Sequence, residues 1–160
     1  KVNNIEMAKS YKKYDEFKEP IFTPSTKAEI GDKDENISIE QMQGIIGVDL
    51  TEKIQRISIE LFKFAYNFAK ERGVIIADTK FEFGLDKDNK LVLIDEIFTP
   101  DCSRFWLYKN NKIDYNSFDK QFFRDYLTSI KWNNNQIQLP EDIKHSLLEK
   151  YQVAYNLITT

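Results

Sequence analysis

VIIADTKFEFGLD, residues 74–86, followed after three residues by KLVLIDEIF, residues 90–98, is the stretch whose reading decides the fold. Both runs are rich in β-branched and aromatic residues, and Asp88 with Asn89 between them tolerate the positive φ of a tight turn, so the pair reads as a β-hairpin. Strand side chains alternate between faces. Asp78, Lys80 and Glu82 therefore share one face, and Thr79, Phe81 and Phe83 share the other. The aromatic face is expected in the core, leaving the charges toward solvent or a cleft. With a two-residue turn at Asp88 and Asn89, Lys87 pairs with Lys90 and Glu82 lies opposite Asp95. A four-residue loop sets Lys80 across from Asp95 instead, and parity still keeps all four groups on one face. Like charges facing each other destabilise a sheet, and a bound cation reverses that sign. Two carboxylates beside a lysine suit Mg²⁺ on a nucleoside triphosphate, with the ammonium meeting the remaining phosphate charge. A hairpin whose polar face is merely wet accounts for the same residues without a ligand.

The next segment, TPDCSRFW at 99–106, turns at Pro100 and then presents Ser103 and Arg104. A hydroxyl and a planar guanidinium can together hold a phosphate or carboxylate, although such pairs are common in loops that bind nothing. Phe105 and Trp106 read as core or wall. No histidine can be placed beside Cys102, which argues against a nucleophilic thiol.

Before the hairpin, Ser38 with Gln41 has the capping-box spacing and starts a short helix ended near Gly47. Asp49 with Glu52 repeats the device. Leu50, Ile54, Ile57, Leu61, Phe64 and Phe68 then recur every three or four residues as the apolar stripe of a longer helix stopped by Gly73. Beyond the hairpin, one helix is expected from Ser117 through Ile130. A second, led by Pro140 and ending near Ile158, carries Ile143, Leu147, Tyr151, Ala154 and Ile158 on one side and His145 on its polar surface. Asn133–Asn135 mark a loop between them. At the start, residues 1–19 read as a charged connecting segment with a helix around Ile5–Tyr14. Pro20 and Pro24 bracket an extended run into the polar loop TKAEIGDKDENIS at 26–38.

At 160 residues and 41% hydrophobic, the chain is long enough to bury a core, and one domain is expected over residues 20–160. Its 23 basic and 26 acidic side chains leave a net charge of only −3, which supplies no field of one sign for a nucleic acid or an anionic membrane. No apolar run spans a bilayer. Small molecules are the expected ligands. The single cysteine, Cys102, excludes an internal disulfide and a four-cysteine zinc site and fits a reducing cytoplasmic setting.

IIADTKFEFG, LIDEIFTPDCSRFW and the earlier EPIFTPSTKAEIGDKDENIS at 19–38 together resemble the SAICAR synthetase family, in its longer yeast-like form. The similarity runs from about Glu19 to the C-terminus, interrupted mainly around Trp132–Gln138. The resemblance implies an α+β fold related to ATP-grasp enzymes, with two lobes clamping ATP; this chain is similar to the C-terminal lobe, a β-hairpin sheet packed against several helices. It implies ligation of CAIR and L-aspartate to SAICAR in purine biosynthesis at the expense of ATP, with Mg²⁺. Carried over by position, Glu82 and Asp95 hold the metal, and Lys80 contacts phosphate. Asp78 faces the CAIR and aspartate side, and Ser103 and Arg104 take the CAIR phosphate. Lys27, Asp34 and Glu35 lie at the substrate mouth, with Asp34 the preferred contact. Two positions depart from the family: Lys33 where many relatives have His, and Cys102 where many have Ser. The family's arginine followed by Thr-Gly-Ser, and its glycine-rich loop, are not in this sequence and are expected in a missing N-terminal lobe, so the 160 residues alone are expected to be inactive. A small-molecule kinase of the inositol polyphosphate type and a non-catalytic nucleotide-binding module are the competing readings. The Glu82-Phe83-Gly84 extension and the Ser-Arg-Phe-Trp segment count against the kinase.

Overall fold

A computed structural model describes residues 11–12, 14–28, 33–117, 121–133 and 135–160. The helix expected around Ile5–Tyr14 lies largely outside them. The chain forms two compact units, Lys1–Lys63 and Phe64–Thr160, and the boundary falls inside a helix.

In the first unit the polar loop is closed by an antiparallel bridge between Ser25 and Asn36. The Thr26 amide donates to Glu35 O at 2.9 Å and the Ile37 amide to Pro24 O at 3.1 Å. Helix α1, Ile39–Ile46, opens with the expected capping box. Ser38 Oγ accepts from the Gln41 amide, and the Gln41 side chain accepts from the Ser38 amide. Gly47, at φ 85°, ends it by donating its N–H to Gln43 O. Helix α2, Val48–Glu71, follows at once, so Asp49 lies within its first turn rather than capping it. The cap is the Gly47 carbonyl, which accepts from the Thr51 amide and from Thr51 Oγ1 at 2.8 Å.

The buried positions of α2 are Thr51, Ile54 and Ser58 in the first unit, then Ala65 and Ala69 in the second. Its expected stripe is thus corrected at the C-terminal end, where Phe64 is 72% exposed and Phe68 lies half-exposed beneath the Arg72 guanidinium. The small side chains at 65 and 69 are the buried ones, and the rings of Phe64 and Phe68 are turned out.

In the second unit Gly73 stops α2 in the left-handed conformation, φ 78°, with its N–H on Lys70 O. Its carbonyl accepts from the Tyr108 amide at 2.7 Å, which starts a three-stranded antiparallel sheet of order β1-β4-β5. These strands are β1, Val74–Thr79; β4, Ser103–Lys109; and β5, Lys112–Ser117. Strands β2, Glu82–Leu85, and β3, Leu91–Ile94, form a separate two-stranded sheet. The stretch read as one long strand is therefore two, broken at Lys80–Phe81. The hairpin β4–β5 replaces the expected start of a helix at Ser117. Its turn is Asn110–Asn111, both at positive φ, the backbone that a two-residue hairpin of right-handed twist requires. Helix α3 spans Gln121–Ser129, and α4 spans Glu141–Thr159 with Pro140 at its N-cap. Helix α4 lies against both α3 and β1. Val74, Ile75, Ile76, Phe105 and Ala154 are the buried core of this unit. The architecture is α+β, as expected, and no helix among the described residues is long and apolar enough to cross a membrane.

Candidate active site

The register of β2–β3 pairs Glu82 with Ile94, Phe83 with Leu93, Gly84 with Val92 and Leu85 with Leu91. Asp86 and Lys90 close the hairpin, the Asp86 amide donating to Lys90 O at 3.0 Å, and Asn89 takes the left-handed position at φ 58°. Asp86 Oδ1 also accepts the Asp88 and Lys90 amides, at 2.9 and 2.8 Å. The turn therefore holds three residues, not two or four. A slip of one residue reverses the pairing parity, so Glu82 faces Ile94 and the predicted opposition of Glu82 and Asp95 is corrected. Asp95 lies just beyond β3 at φ 65°, outside the ladder altogether.

The break at Lys80–Phe81 also ends the strand alternation that put Asp78, Lys80 and Glu82 in one row. Two charge pairs stand in its place. Lys80 Nζ is 2.9 Å from Glu82 Oε1, with the lysine half-exposed and Glu82 only 14% exposed. Asp78 is directly opposite Arg104 in the β1–β4 ladder, and the two carboxylate oxygens meet Nε, at 2.8 Å, and Nη2 of the guanidinium. The aromatic face expected in the core is half-buried instead: Phe81 packs edge-on against Phe98 at 5.2 Å and lies 6.4 Å from Phe83, and neither ring is in the buried core.

Ser103 and Arg104, adjacent on β4, point to opposite faces. Arg104 is exposed, whereas Ser103 is 4% exposed with its Oγ 2.8 Å from Thr79 Oγ1. The turn ahead of them is tied by hydroxyls. Thr99 Oγ1 donates to Glu96 Oε2 and accepts the Cys102 amide at 3.3 Å, and Cys102 Sγ lies 3.5 Å from Ser103 Oγ. Tyr151 on α4 anchors the same turn by donating to Asp101 Oδ1 at 2.8 Å. The roles of Thr79 and Tyr151 escape a sequence reading because their contacts span 24 and 50 residues, whereas Glu96 and Thr99 are three residues apart and form a local turn contact. The Lys80 amide donates to Cys102 O at 2.9 Å, which joins this turn to the β1–β2 break. The backbone thus brings Lys80 and Arg104 onto the same pair of chain segments.

In the first unit Lys27, Asp34 and Glu35 lie exposed on the bridged loop, as does Lys33. Asp34 Oδ1 accepts the Ala28 amide at 3.0 Å, and the Glu35 amide donates to Thr26 Oγ1 at 3.1 Å, so part of this charged loop shapes its own backbone. His145 is exposed on α4 beside Glu149, in keeping with a surface position.

Residues 2–139 match the SAICAR synthetase family. Over 99% of its length the chain is 48% identical to the phosphoribosylaminoimidazole-succinocarboxamide synthase of Cyberlindnera jadinii, covering 54% of that protein. Among solved structures it resembles the SAICAR synthase of Saccharomyces cerevisiae complexed with SAICAR. The TM-score is 0.84 at 44% identity, over 99% of this chain and 52% of the other. A SAICAR synthetase in complex with ADP matches with a TM-score of 0.66 at 30% identity, over 90% of this chain and 52% of that one. The chain spans about half the length of the relatives it matches. The motif order, the fold and a match over most of the residues agree, and the chain belongs to the SAICAR synthetase family.

Proposed function

We propose that this chain is the C-terminal lobe of a ligase that joins CAIR and L-aspartate to give SAICAR, ADP and phosphate. The carrying observation is the Lys80–Glu82 pair at 2.9 Å, beside the Asp78–Arg104 pair, within the segment that bears the family motif. A carboxylate is a poor acyl donor. Transfer of the γ-phosphoryl group of ATP to a CAIR carboxylate oxygen gives an acyl phosphate and ADP. The aspartate amine, having lost its proton, then attacks the acyl carbon, so a C–N bond forms and the C–O bond to phosphate breaks. Positioning and charge neutralisation are the protein's share of that chemistry.

In this reading Lys80 places its ammonium on the transferred phosphate, and Glu82 holds that ammonium in position until the nucleotide arrives. Glu82 and Asp95 would hold Mg²⁺, an assignment that rests on the family resemblance and on their carboxylate chemistry, because the ladder pairs Glu82 with Ile94 and not with Asp95. Their hard oxygens fit it, because magnesium on a nucleotide takes one or two carboxylates and completes its shell with phosphate oxygens and water. When bound, the ion supplies neutralisation of phosphate charge. Arg104 and Ser103 are the proposed contacts of the CAIR phosphate. The guanidinium is already exposed, whereas Ser103 is buried with its Oγ against Thr79 Oγ1. Asp78 stands on the CAIR and aspartate side, and the resemblance alone assigns substrate contacts to Lys27, Asp34 and Glu35. An N-terminal lobe supplying the glycine-rich loop, with residues 1–19 as the connection, completes the proposal. A cytoplasmic setting accords with Cys102 as a free thiol.

The test is product formation by the full natural protein from CAIR, ATP and L-aspartate. SAICAR is expected only when all three are present, and the 160 residues alone are expected to form none. Phosphate transfer to a hydroxyl acceptor without aspartate would instead identify a kinase and overturn the proposal.

A further inference from the structure

Strand β1 pairs with β4 in two registers. Val74, Ile75 and Ile76 lie opposite Leu107, Trp106 and Phe105, and continuing that register would set Ala77 against Arg104 and Asp78 against Ser103. The ladder shifts instead, so that Asp78 opposes Arg104 and Thr79 opposes Ser103. Ala77 is the extra residue of a β-bulge, a feature that re-aims the side chains beyond it. Without the shift, a methyl group would face the guanidinium and a carboxylate would be directed toward the buried Ser103, where desolvation opposes it. With it, the carboxylate grips the guanidinium on the exposed face and the two hydroxyls meet at 2.8 Å on the buried face.

We propose that Asp78 is a positioning residue for Arg104, set in place by the Ala77 bulge, and that it acts on the substrate's phosphate monoester through the guanidinium rather than by touching it. The inference rests on the functional reading above, in which Arg104 receives that phosphate. Both side chains are about half exposed, 51% and 55%, and an exposed ion pair contributes little to stability. Orientation is what the pair does supply. A guanidinium carries five N–H groups in a rigid plane, and the pair engages the Nε–Nη2 edge, so fixing that edge fixes the direction in which the remaining donors point. An arginine on a free stem has to be ordered at the moment of binding, which weakens affinity.

The experiment measures binding of ribose 5-phosphate and, separately, of Mg·ATP to the full natural protein. It compares wild type, Asp78→Ala, Asp78→Asn, Arg104→Ala and the Asp78→Ala/Arg104→Ala double variant. Asp78→Ala is expected to weaken ribose 5-phosphate binding about tenfold, the equivalent of one charged hydrogen bond, and to leave Mg·ATP binding within about twofold. Asp78→Asn, which keeps one acceptor for Nε–H, is expected to fall between wild type and Asp78→Ala. The Arg104 Nε–H resonance is expected to move or broaden in Asp78→Ala while the rest of the spectrum is retained. In steady-state kinetics KM for CAIR rises while KM for ATP does not. In the Arg104→Ala background, Asp78→Ala is expected to have no further effect. An undiminished effect in that background, or tighter phosphate binding in Asp78→Ala, overturns the inference. If Arg104→Ala alone leaves phosphate binding unchanged, the phosphate assignment of Arg104 falls, and the inference falls with it. Weakening by Arg104→Ala without weakening by Asp78→Ala rejects the inference only.

Discussion

Lys80 follows the last residue of β1, with its amide still bonded to Cys102 O in the turn before β4 and its ammonium on Glu82. Because backbone and side chain are both held, the charge is delivered to a fixed place, which is what stabilisation of a developing phosphate charge requires. Replacement of Lys80 by Met is therefore expected to lower kcat for SAICAR formation by about 10²-fold or more in the full natural protein, with its fold retained by circular dichroism. Cys102→Ser is expected to keep activity within about threefold, because the Sγ contacts with Thr99 and Ser103 are ones that a hydroxyl can also make. A nucleophilic cysteine predicts complete loss. The identities of Asp78, Lys80, Glu82 and Arg104 were legible in the sequence as charges grouped near one hairpin. Their pairing was not. It depends on an extra residue at Ala77 and a strand break at Lys80–Phe81, and neither leaves a glycine or proline at the position where it occurs.

At the scale of elements, helices α1, α2 and α4 were readable because caps and 3.6-residue periods are local signals. The strands were harder, since a one-residue change in turn length reverses every pairing face. The β4–β5 hairpin carried a signal in Asn110–Asn111, which flank no glycine but both adopt positive φ. Gly73 tests the helix-to-sheet joint directly. A Cβ there would sit 3.1 Å from Tyr108 O on a backbone at φ 78°. Gly73→Ala is expected to destabilise the protein by about 1–2 kcal/mol, read as a lower denaturant midpoint at unchanged slope. Ser38→Ala removes the acceptor for the Gln41 amide and is expected to cost about 1 kcal/mol in the same measurement.

At the scale of the molecule, family and fold class were legible because the motif string is long and ordered, whereas the division at Lys63–Phe64 falls within α2 and carries no break in composition. The relatives are about twice as long, and the proposed site gathers its charges from residues 78–104 of the present chain. The most direct test of that site is a titration of ATP into the full natural protein with and without Mg²⁺, comparing wild type with Glu82→Gln and Asp95→Asn. Each substitution is predicted to weaken the magnesium-dependent binding by about tenfold or more, the loss of one charged ligand. Magnesium-dependent binding at wild-type strength in both variants would contradict the assignment of these carboxylates to the nucleotide site.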